Sequence, residues 1–106
     1  MEKWQEEGYV ETENGLLEKV VVKKIVHNDT CCLVFTLYHV GNKADYREWP
    51  DGSWYELEIS NFAKTSAAIT NRMKFYTKEE DLDQMLEFIM EAKPILKKYG
   101  EDLKNL

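Results

Sequence analysis

Residues 27–39 read HNDTCCLVFTLYH, and the fold turns on how this stretch is read. In an extended chain Cys31, Leu33, Phe35 and Leu37 leave one side, and Cys32, Val34, Thr36 and Tyr38 leave the other. Both sets are largely apolar. That pattern belongs to a central strand, covered on both sides or packed against an aromatic surface. The two thiols leave opposite faces, so they are poorly placed to hold one metal ion together, and the CxxC spacing of zinc and redox sites is absent. Both cysteines read as small hydrophobic core residues. His27-Asn28-Asp29-Thr30 reads as the turn before the strand. Strand register can set His27 opposite Cys31 or Cys32, which is the one Cys–His pair the sequence permits.

Upstream, LLEKVVVKKIVHN (residues 16–28) is rich in β-branched residues and reads as the preceding strand. Lys19 and Lys23 fall on one parity and Lys24 on the other, which predicts an edge position or a bulge. Asn14-Gly15 is a hairpin turn signal that joins residues 9–13 to 16–26. Residues 2–7 are expected to form a helical turn or a frayed end.

Downstream, Pro50-Asp51-Gly52 marks a turn between Tyr46–Trp49 and Trp54–Ile59, read as two arms of a second hairpin. Tyr55, Leu57 and Ile59 form its inward face, while Trp54, Glu56 and Glu58 form the other. Residues 61–67 are expected to be a short helix or loop capped by Ser60 or Asn61, with a strand over 68–76. The T-x-x-E spacing of Thr77 and Glu80 predicts a capped helix. Its apolar stripe runs through Leu82, Met85, Leu86, Ile89 and Ala92. Pro94 is expected to end or kink it, with Ile95, Leu96 and Tyr99 continuing the helical character. The expected fold is therefore α+β: a small antiparallel β-sheet built from hairpins, packed against a C-terminal helical segment kinked near Pro94. The 106 residues suit one domain over 1–106, with 101–106 as a tail that docks or frays.

One amphipathic helix covers only one face of a sheet. The second apolar face of the 31–38 strand then needs a curled sheet, the 61–67 segment or another subunit, which makes a homodimer the expected assembly.

The net charge is −6, and residues 1–60 hold all of the excess, with twelve acids against six bases. Such a chain repels a phosphate backbone. The N-terminus starts acidic and has no apolar core, unlike a secretory signal. The longest apolar run, Cys31 to Phe35, is far too short to cross a membrane. A cytoplasmic location is the expectation, and reduced cysteines suit it.

No glycine-rich phosphate loop, HExxH, GxSxG or acidic metal loop occurs, so no cofactor or metal is expected. Tyr46, Trp49, Trp54 and Glu56, gathered around the second turn, make up the candidate binding surface, because aromatic residues dominate interface hot spots. The favoured reading is a small non-enzymatic binding or regulatory protein that acts through a protein partner, one with a basic surface to match the acidic first half. A second reading is single-stranded nucleic-acid binding by aromatics on a curved sheet. It requires Lys19, Lys23, Arg47 and Lys74 to converge in one groove. A third is a small enzyme using His27 with a cysteine or carboxylate.

Overall fold

The computed structural model describes residues 1–65 and 69–106. Helix α1 (Lys3–Glu6) leads into strands β1 (Val10–Glu11), β2 (Leu16–His27) and β3 (Cys31–Asn42). A 3-10 helix over Lys43–Glu48 connects to β4 (Ser53–Ala63) and β5 (Ile69–Thr77), and helix α2 (Glu79–Lys104) closes the sequence of elements. The strands form one antiparallel sheet in the order β1-β2-β3-β4-β5, with each strand paired only to its sequence neighbours. The cysteine-bearing strand is its centre, as its two apolar faces require. The fold is α+β, an antiparallel sheet with a C-terminal helix against it.

Local chemistry explains most boundaries. Gly15 turns the chain between β1 and β2 with φ at +74°, a conformation that a side chain would strain. The bulge that the lysine parities of β2 predict is present as a register shift between Val20 and Val22, although Lys19 and Lys24 still lie on one face and Lys23 on the other. The extra residue returns Val22 and Val26 to the face that carries Leu33, Phe35 and Leu37. At the start of α2 the cap lies one residue later than the T-x-x-E spacing indicates. Lys78 is the N-cap, and its backbone N–H donates to the Asp81 carboxylate at 2.8 Å. Thr77 instead remains in the sheet, buried and paired with Tyr55. The helix runs on through Pro94 rather than ending there. Pro94 is exposed, so water can satisfy the carbonyl that loses its partner.

Two expectations are corrected. Residues 46–49 are not a strand: most of them belong to the 3-10 helix, and β4 pairs with β3 instead. The expected helix or loop over 61–67 is also overturned where it can be followed. Residues 61–63 extend β4, and Lys64 and Thr65 begin a turn. The remainder of that expectation, with the start of the 68–76 strand, falls at 66–68, outside the described residues.

Register assigns the paired strand residues to two faces. Face one carries Leu17, Val22 and Val26 from β2, Leu33, Phe35 and Leu37 from β3, Leu57 and Ile59 from β4, and Met73 and Phe75 from β5, with Lys24 opposite Phe35 and Asn61 opposite Leu33. Face two carries Glu18, Tyr38, Val40, Trp54, Glu56, Glu58, Arg72 and Lys74 at one end, and Ile25, Val34 and Phe62 toward the other. The tightest packing lies at one end of the sheet, where Leu17 and Val40 are fully buried on opposite faces, and Trp4 is buried on α1, where it lines a recess with Tyr9 and Trp49. The middle of face one has no such cover. Helix α2 meets the sheet through its first turns: Leu82 borders a recess with Leu37 and Tyr55, and Met85 borders another with Phe75 and Tyr76. Beyond these turns its apolar side chains are exposed.

Candidate functional site

The four residues singled out around the second turn fall in two places. Trp49 and Tyr46 belong to an aromatic cluster on face one. Trp54 and Glu56 lie on face two, opposite Val40 and Tyr38.

The aromatic cluster is built on Gly41. A Cβ at this position would collide with the Trp49 ring, so the absence of a side chain is what lets the indole lie on β3. Trp49 then meets Tyr9 at 5.3 Å, Tyr46 at 4.9 Å and His39 at 5.0 Å between ring centroids, all edge to face. His39 stacks on Tyr55 at 4.7 Å. Such pairs each add roughly 0.5–1.5 kcal/mol beyond the area they bury. The Tyr46 hydroxyl donates to the Glu7 carboxylate, and that bond, ahead of burial and the Glu7 charge, pushes Tyr46 up to about 12. Trp4, Tyr9, Tyr46 and Trp49, with His39 and Glu7, line an open recess of about 730 Å³.

His39 is the titrating member of the cluster. Burial, then the nearby Lys19 charge, lowers its pKa below the usual imidazole value, while burial, then Tyr55 and Glu7, raises that of Tyr9. The Tyr9 hydroxyl and His39 Nδ1 are hydrogen-bonded at 2.5 Å, and Tyr9 is the donor when the neutral imidazole carries its proton on Nε2. The folded state therefore prefers neutral His39. Its contribution to stability is complete above the unfolded imidazole pKa of about 6.5 and is lost as pH falls through the lower folded value. Urea midpoints should fall between pH 7.5 and pH 5 by less in His39→Gln than in the native chain, since glutamine keeps the acceptor and does not titrate. Equal falls would show that His39 is not a source of the acid sensitivity.

Face two is a lattice of charges around Tyr38. Glu58, buried, accepts from Arg72 Nε at 2.7 Å and from the Tyr38 hydroxyl at 3.3 Å. Lys74 pairs with Glu18 at 2.6 Å, and its ammonium lies 4.2 Å from the Tyr38 ring centroid. Trp54 Nε1 donates to Glu56 at 2.9 Å. Burial and the two surrounding carboxylates, Glu58 and Glu18, raise the Tyr38 pKa, with Lys74 opposing them. Sequence reasoning missed Glu18, Tyr38, Glu58 and Arg72 as a group. They come from four strands, and only register brings them together.

The Cys–His pairing is present. His27 stands opposite Cys32 in register, with Nδ1 and Sγ 3.1 Å apart. Cys31 is held on the turn side by Asn28 at 3.4 Å, and both thiols are free. Among the described residues no carboxylate is hydrogen-bonded to His27, so nothing orients the imidazole as a base in the way a triad does. Among the described residues no three His, Cys, Asp or Glu side chains converge as metal ligands. Lys19 lies on face one, while Lys23 and Lys74 lie on face two and Arg47 on the 3-10 helix. These four cations form no common groove.

The chain matches no protein-family model, no curated protein and no solved structure. Among the described residues no helix is long and apolar enough to cross a membrane.

Proposed function

We propose that this chain is a small non-enzymatic binding domain that acts through a protein partner. The observation that carries the reading is the apolar middle of face one. Leu33, Phe35, Leu37, Leu57 and Ile59 are only partly covered, and Val22 and Met73 beside them are each 59% exposed. An apolar sheet surface of this extent marks an interaction surface. The aromatic cluster at its end, Tyr46 and Trp49 among it, supplies the rigid side chains that interfaces favour. Trp54 and Glu56, on face two, belong to a secondary surface. The acids there are partly neutralised by Arg72 and Lys74, so apolar contact rather than charge supplies most of the affinity.

The alternatives have less behind them. An open sheet with lysines divided between its faces gives a nucleic acid no basic track. Among the described residues no carboxylate orients His27 beside Cys32, as a nucleophile's base requires. A cytoplasmic location accords with the two free cysteines.

A photo-crosslinking residue, benzoylphenylalanine, placed at Ile59 in the middle of face one tests the reading directly. Irradiated in the source cells, it should form adducts with protein, whereas the same group at Asn14 in the β1–β2 turn should not. No protein adduct from Ile59, or equal yields from both sites, would overturn the reading.

A further inference from the structure

We infer that the partner is a second copy of this chain, and that the two copies exchange α2, each laying its apolar stripe on the open sheet face of the other. The inference rests on the reading of face one as a binding surface and adds the identity of what covers it.

The chain carries two apolar surfaces that are complementary in kind and kept apart in the protomer. One is the middle of face one. The other is the stripe along α2, where Leu82, Met85, Ile89, Ala92, Leu96 and Tyr99 recur at alternating spacings of three and four. Past the first turns it is bare: Leu86 and Ile89 are 56% exposed, Tyr99 61% and Leu96 67%. Phe88 and Ile95 widen the stripe well beyond a narrow two-helix seam. A stripe of that width fits the broad surface of a sheet.

The helix cannot reach its own sheet's open half from where it starts. It leaves β5 at the end that carries Tyr55 and Leu37, next to the aromatic cluster. The uncovered half runs back the other way, toward Cys31 and Ala63. A helix covering it would have to reverse direction at once. Lys78 is the one residue between strand and helix, and its backbone is extended, with φ −119° and ψ 169°. Connections of this kind ordinarily use about 2–6 residues. The start of the helix is also fixed by the Asp81 cap on the Lys78 N–H, and Leu82 borders a recess with Leu37 and Tyr55. The exit direction is therefore set, and the rest of the helix projects.

Size supports the same conclusion. The radius of gyration is 18.2 Å, where a globular chain of this length has about 13 Å. The accessible surface is 8422 Å², about 2,200 Å² more than a globular monomer of this mass exposes. If two copies hide that excess from each other, the total buried lies within the roughly 2,000–5,000 Å² of permanent dimers. Helix pairing alone would leave the sheets open, and sheet pairing alone would leave the helices bare. Reciprocal exchange covers both surfaces, and its two-fold symmetry closes the assembly at two chains.

The test uses purified full-length chain. Sedimentation from nanomolar to tens of micromolar should give twice the chain mass. Ile89→Asp and Leu96→Asp, both on the exposed stripe, should weaken association by about 100-fold or more, as hot-spot losses do, while the tryptophan emission of the sheet is kept. An equal mixture of isotope-heavy chains and light chains with benzoylphenylalanine at Ile59 should give heavy–light adducts attached within residues 82–103. Monomer mass at every concentration, a crosslink from Ile59 to α2 of the same chain, or a dimer whose adducts lie outside α2 would each overturn the exchange. A monomer in solution that still forms adducts with a different protein in cells would refute the second copy and leave the binding reading intact. No adduct in either setting would refute both.

Discussion

Leu17→Ala should destabilise the protein by roughly 2–5 kcal/mol, read from urea denaturation at fixed protein concentration. Leu17 is fully buried and is directly paired with Gly41, so it lies on face one beside the position the Trp49 ring occupies. Truncation removes the transfer energy of its methyl groups and leaves a void that cannot easily collapse. Gly41 has no side chain to move into it, and the indole is held by Tyr9, Tyr46 and His39. Total stability in a small domain is about 5–15 kcal/mol, so this single change removes a large share. The same truncation at Leu96, exposed on α2, should cost far less in a monomeric variant such as Ile89→Asp. Similar losses at both positions would mean that the core is not concentrated at the Leu17 end.

The second large effect concerns Gly41 itself. Gly41→Ala should cost about 1–3 kcal/mol, because the new methyl occupies space already filled by the Trp49 ring. Trp49→Ala should also be destabilising, through the loss of three aromatic contacts. The two losses should not add. Once the ring is gone the methyl has room, so the double variant should be more stable than the sum implies, by about 0.5–3 kcal/mol. Additivity within about 0.5 kcal/mol would show that the methyl and the ring do not compete for the same space.

Much of this architecture is legible in the chain. The alternation from Cys31 to Tyr38 identifies the central strand, the Asn14-Gly15 pair its first hairpin, and the lysine parities of β2 the bulge. Each is a local signal, written within a few residues. The 3-10 helix is not legible, because Tyr46 to Trp49, next to a Pro-Asp-Gly turn, has the composition of a hairpin arm. Its actual signal is the spacing of three between Tyr46 and Trp49, which sets both rings on one side of a 3-10 turn. What holds it there is remote: Glu7 on the Tyr46 hydroxyl and the empty space above Gly41. The grouping of Tyr46, Trp49, Trp54 and Glu56 follows sequence proximity, and the sheet separates it because Trp54 and Trp49 approach β3 from opposite faces. The charged lattice around Tyr38 could not be read at all, since Lys74 finds Glu18 across 56 positions.

The neighbour-to-neighbour strand order has a kinetic consequence. Each pairing closes a short loop, so hairpins can zip in succession without waiting for distant segments to meet. All three tryptophans lie before residue 55 and none is on α2. In refolding, indole fluorescence then reports sheet formation as a unimolecular event, insensitive to protein concentration. The proposed exchange of helices between copies would be a bimolecular event that follows it, silent to the indoles of the sheet end. The lifetime of the half-finished state, with a formed sheet and a bare helix, is set by how soon another chain arrives. Dilution lengthens that interval, and with it the time during which the apolar surfaces are open to the wrong neighbour.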